Sequence, residues 1–154
     1  MREVDEVIGE YSGHSRNVLE FCRVMKRLVD TAKLPGFSTE SWAPLGGLIA
    51  VDEFERIGNF KETMNWAQYS RFLTDWARTS DWRCVFKRIT EVGNLVFVEL
   101  EEHSRIGSSS NVVNSMTLYE FDRAGKIRHL DVYLQMALPD SEMLKTYAGA
   151  KASV

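Results

Sequence analysis

The chain has 154 residues, 44% of them apolar and 27% charged, which suits a single domain over 1–154 with a core that needs no staples. The formal charge is −3 and Lys and Arg are not clustered, which argues against a nucleic-acid partner. No apolar stretch exceeds a few residues, so no membrane partner is expected, and the acidic opening Met1-Arg2-Glu3-Val4-Asp5-Glu6 is unlike a signal peptide.

Val4, Val7, Ile8 and Tyr11, then Val18, Leu19, Cys22, Met25, Leu28 and Val29, recur at helical spacing. They predict helix over about 3–12 and 15–31, with a break near Gly13 and Ser15 as N-cap of the second part. Leu34-Pro35-Gly36 ends that helix. A short helix starts at Ser38, Thr39 or Ser41 and runs through Trp42, and Leu48–Val51 reads as a short strand leading into Asp52-Glu53-Phe54-Glu55. Asn65 and Gln68 have the spacing of a capping box. The stripe Trp66, Tyr69, Phe72, Leu73 and Trp76 needs a sheet to lie on, and Ser80-Asp81 closes this helix.

From Trp82 the period becomes two. One strand runs to Val92, Gly93-Asn94 turns the chain, and a second begins at Leu95. That second strand carries Val96, Val98 and Leu100 on one face and Glu99, Glu101 and His103 on the other. Gly107–Ser110 turns into a long hairpin, Asn111–Phe121 and Ile127–Met136, around Asp122-Arg123-Ala124-Gly125-Lys126. The tail after Leu138-Pro139-Asp140 is expected to fray or form a short helix. Helices and strands are segregated, which predicts an α+β fold. Cys22 and Cys84 fall in different elements and are expected to be reduced, buried thiols of a cytoplasmic protein.

The element order, with Tyr119-Glu120-Phe121-Asp122-Arg123-Ala124-Gly125-Lys126-Ile127 near its end, resembles the nuclear transport factor 2-like superfamily in its SnoaL-like branch, over about 15–137. The resemblance implies a curved antiparallel sheet wrapped around N-terminal and central helices, a cystatin-like cone with a mostly apolar pocket. It also implies a homodimer through the outer sheet face. Members include ketosteroid isomerase, limonene-epoxide hydrolase, scytalone dehydratase and polyketide cyclases, besides non-catalytic binding proteins, so the fold leaves the activity open. The resemblance selects Glu55 as the isomerase-type base, with Asp52 close by. It puts Thr117 and Val132 where the isomerase and the hydrolase carry acids, and the first long helix offers no Tyr near Phe21, Cys22 and Met25.

Two readings of the last hairpin differ by register, and a one-residue slip exchanges the faces. In one, Thr117 meets Asp131 and Tyr119 meets His129 as a polar cluster. In the other, typical of the resembled family and adopted here, Leu130, Val132 and Leu134 lie beside Ser115 and Thr117 in the pocket, and His129, Asp131 and Tyr133 face outward. Glu99, Glu101 and His103 are either pocket-wall groups or the wet side of a half-buried strand. The expected ligand-binding set is Cys22, Met25, Trp66, Glu99, Ser115, Thr117, Tyr119, Leu130, Val132 and Leu134, with Glu55 or Asp52 as general base. His14, His103 and His129 are scattered, and neither a phosphate loop nor a G-x-S-x-G elbow occurs, so no metal or cofactor is expected. The expected function is binding of a small apolar molecule, with isomerase, dehydratase or cyclase chemistry by proton abstraction. The alternative is a non-catalytic dimeric binding or interaction module.

Overall fold

The computed structural model describes residues 1–138 and Lys145; the expected tail element lies outside them. Strand β1 (Arg2–Glu3) leads into helix α1 (Val4–Val7), a 3₁₀ turn (Ile8–Glu10) and the long helix α2 (Gly13–Thr31). The expected helix over 3–12 is therefore two short pieces. Helix α2 starts two residues before Ser15, after Ser12. The Ser15 backbone N–H and hydroxyl both donate to Oε1 of Glu91, at 2.7 and 2.8 Å. A carboxylate from a distant strand thus takes a first-turn amide that has no partner in the helix.

A second 3₁₀ turn (Thr39–Trp42) runs into helix α3 (Ala43–Gly46). The expected strand at 48–51 reduces to one parallel bridge, Ile49 to Ile127. A turn follows, and then strands β2 (Glu55–Ile57) and β3 (Thr63–Met64). Helix α4 (Trp66–Thr79) has the expected reciprocal cap between Asn65 and Gln68, and strand β4 (Ser80–Val92) begins as soon as it ends. Ser80-Asp81 therefore opens a strand. Strands β5 (Leu95–Ile106), β6 (Ser109–Phe121) and β7 (Ile127–Gln135) complete the meander. Gly93 and Gly107 turn it at φ +60° and +61°, a region that costs glycine nothing.

The sheet order is β1-β4-β5-β6-β7-β2-β3, antiparallel except where β2 runs parallel to β7. The sheet is curved and the fold is α+β, as expected. Tyr119 pairs with Leu130, Thr117 with Val132 and Ser115 with Leu134, which is the adopted hairpin register. The helices cover the concave face. Val18, Leu19, Val96, Val98, Phe121 and Ile127 are fully buried between the layers. Trp42 is also fully buried, its Nε1 donating to Thr74 Oγ1 at 2.9 Å, so its one polar group is satisfied. Cys22 and Cys84 are free and buried. Burial pushes both thiols up, Cys22 to about 12, which keeps them protonated. Among the described residues no helix is long and apolar enough to cross a membrane.

Candidate functional site

Between α2, α4 and the concave sheet face lies a cavity of about 300 Å³. Strand alternation builds the sheet wall: Leu100, Ser115 and Leu134 form one cross-strand row, and Thr117 and Val132 form the next. Tyr119, Leu130 and Arg56 form a third row, running through β6, β7 and β2. Helix α2 contributes Phe21, Cys22 and Met25. Helix α4 contributes Tyr69, Phe72, Leu73 and Trp76, at i, i+3, i+4 and i+7. The expected pocket residues Cys22, Met25, Ser115, Thr117, Tyr119, Leu130, Val132 and Leu134 all line this one hollow.

Among the described residues the wall holds one cation, Arg56, and one carboxylate, Glu102. The Arg56 guanidinium lies 5.0 Å from the Tyr69 ring centroid and 5.7 Å from that of Phe72. Its Nη1 is 3.5 Å from Glu62 Oε1. Glu62 reaches it because Gly58 leaves room: a Cβ there would stand 1.6 Å from the Glu62 carboxylate. Arg56 Nε and Nη1 are buried without a hydrogen-bond acceptor. Glu102 accepts from Trp82 Nε1 at 2.8 Å, and the Trp82 ring meets Trp76 edge-on at 6.2 Å. Burial pushes up the phenols of Tyr69 and Tyr119, so both enter the site as neutral O–H groups. Arg56 partly offsets that rise at Tyr69. The Tyr119 hydroxyl is 3.9 Å from Cys22 Sγ.

No family model matches the chain, and no curated protein matches it. Solved structures do. A candidate SnoaL-like polyketide cyclase from Jannaschia sp. aligns over 81% of this chain and 90% of its own, with 14% identity and a TM-score of 0.58. An LEH-like epoxide hydrolase from M. tuberculosis aligns over 73% and 84%, with 17% identity and a TM-score of 0.54. A nuclear transport factor 2-like protein of unknown function from Cytophaga hutchinsonii aligns over 81% and 92%, with 18% identity and a TM-score of 0.51. The chain has the nuclear transport factor 2-like fold. At such identities the likeness concerns the fold, and the chemistry must be read from this chain's own side chains.

In this nuclear transport factor 2-like cone the two expected bases are elsewhere. Glu55 does not line the cavity. It precedes Arg56 on β2, so when Arg56 faces inward, Glu55 faces outward. Its side chain is half exposed and lies 3.2 Å from His129 Nδ1 on the convex face. Asp52 is exposed in the turn before β2. Glu99 is also on the convex face. It is held in a two-pronged pair by Arg88, whose hydrogen bonds, and then its charge, keep the carboxyl below its ordinary range. Glu101 and His103 pair with each other on that same face, at 2.7 Å, so this face is the wet side of β5. Trp66 packs against Gly46, Phe54 and Tyr69 and leaves the cavity to Phe72 and Trp76. The sequence reading missed Arg56, Glu102 and Trp82. For Glu102 the signal was present: with Val96, Val98 and Leu100 inward, parity brings Glu102 and Ser104 to the same side. For Arg56 it was not, because three residues are too few to show a period.

Proposed function

We propose that the chain binds one small, largely apolar molecule in the cone. The observation that carries this reading is the hollow of about 300 Å³, walled by aliphatic and aromatic side chains with a few polar groups aimed into it. That lies at the lower end of ligand-pocket sizes, about 300–1,000 Å³. Native mass spectrometry and thermal shift against steroid, terpenoid, polyketide-like and small amine compounds should find a ligand that raises the melting temperature. A Val132→Trp variant, which fills the hollow, should abolish that shift while remaining folded. An undiminished shift in that variant overturns the reading.

A second, catalytic reading has one specific support: among the described residues a single carboxylate, Glu102, stands in a mostly apolar wall with its Oε1 fixed by Trp82. Such a group is placed to move a proton on a bound molecule, and this reading takes over the role first expected of Glu55 and Asp52. If a ligand is turned over, Glu102→Gln should keep binding and lose about 10²-fold or more of the rate. An unchanged rate removes Glu102 from the chemistry.

The proposal extends to a second copy of the chain on the convex face, where Val112, Met116 and Tyr133 are exposed apolar side chains on adjacent strands. Sedimentation should give a dimer that Met116→Lys converts to monomer. A wild-type monomer at tens of micromolar overturns that part alone.

A further inference from the structure

We infer that the molecule held in the cone is a cation, an amine or quaternary ammonium. Its charge lies against Glu102 and its N-alkyl groups lie on the indole of Trp76, which abuts Trp82. The inference rests on the binding reading above and names the chemical class of its ligand.

The charges in the wall are unequally compensated. Arg56 has a counter-ion in Glu62 at 3.5 Å, and its positive charge is spread over the faces of Tyr69 and Phe72. Glu102 has one neutral donor, Trp82 Nε1, and among the described residues it makes no ion pair. Its cross-strand neighbours, Cys84 on β4 and Val113 on β6, offer it no charge. Glu102 is a half-buried carboxylate on the cavity wall without a counter-ion, and a cation entering the cavity supplies one.

The groups around Glu102 suit an organic cation better than a metal ion. The Trp82 ring is only 8% exposed and is in edge contact with Trp76, so the open indole surface at the cavity is mainly that of half-buried Trp76. Trp76 meets Trp82 edge-on at 69°, and Trp82 holds the carboxylate, so the pair borders the cavity beside Glu102. Indole faces attract alkylammonium groups, and a carboxylate at the rim completes the recognition of such a group. No cluster of three His, Cys, Asp or Glu among the described residues offers metal ligation.

An anionic ligand fits less well. Arg56 lines the cavity, but its charge is already met by Glu62 and by the faces of Tyr69 and Phe72. An incoming acid would also meet the charge of Glu102.

The test uses two probes of the same shape, benzyltrimethylammonium and its neutral carbon isostere neopentylbenzene, titrated calorimetrically into the full-length chain at fixed ionic strength. The ammonium should bind at least about tenfold more tightly than the isostere, the scale of a desolvated cation on aromatic faces with a counter-charge. Glu102→Gln keeps the size of the side chain and an oxygen for Trp82. It should erase the preference for the ammonium and leave isostere binding within about twofold. Trp76→Leu should weaken the ammonium more than the isostere. Equal or tighter binding of the isostere by the wild type overturns the cationic class and leaves the pocket reading standing. A preference that survives in Glu102→Gln overturns the role given to that carboxylate. Binding of neither probe overturns the pocket reading and this inference with it.

Discussion

Glu55 and Arg56 are neighbours in sequence and lie on opposite faces of β2. A Glu55→Gln variant should therefore bind any cone ligand as the wild type does, which the same titration checks. Arg56 has a different expected signature. Two of its nitrogens are buried without an acceptor, and its ion pair with Glu62 is long at 3.5 Å. Replacing such a group with an apolar side chain of similar length removes an unmet demand along with the pair. Arg56→Met is expected to change unfolding stability by no more than about 1 kcal/mol in a denaturant titration. A loss of about 3 kcal/mol or more would show that the guanidinium holds the cone together.

The elements were legible where a period ran long enough to repeat. Helix α4 declared itself through Asn65, Gln68 and its apolar stripe, and β4 to β7 through alternation and the glycines at their turns. The last hairpin left two registers open, and covering the concave face with α2 and α4 leaves one of them, because only Leu130, Val132 and Leu134 can meet apolar partners there. The start of α2 was illegible for another reason: its first turn is completed by Glu91, 76 positions away, and no local pattern reports so distant a cap. Both caps can be tested. Asn65→Ala and Glu91→Ala should each lower stability by about 1 kcal/mol, the usual worth of a lost helix cap, measured by thermal or chemical unfolding. If Glu91→Ala has no effect, Ser15 finds its partners in water.

At the scale of the molecule the sheet has two regimes. Toward Val96, Val98, Phe121 and Ile127 the concave face is closed and fully buried. Toward Leu134, Val113 and Asn111 it opens into the hollow. Truncation should therefore cost differently along the cone. Leu19→Ala, in the closed part, should destabilise by about 2–5 kcal/mol, because packed neighbours cannot collapse into the space. Leu134→Ala removes the same atoms from a half-buried position on the cavity wall and should cost clearly less, while enlarging the site. Equal losses in parallel unfolding curves would mean that the hollow is packed as tightly as the core.

The placement of the four tryptophans also equips the molecule with an optical reporter. Trp42 is sealed away and hydrogen-bonded to Thr74, and Trp66 sits behind Phe54, so their emission should be indifferent to occupancy. Trp76 and Trp82 border the hollow itself, and Trp82 touches the Glu102 carboxylate. Any guest that settles beside them should quench or shift the intrinsic fluorescence. In a Trp76→Phe, Trp82→Phe double variant the remaining glow should stay silent.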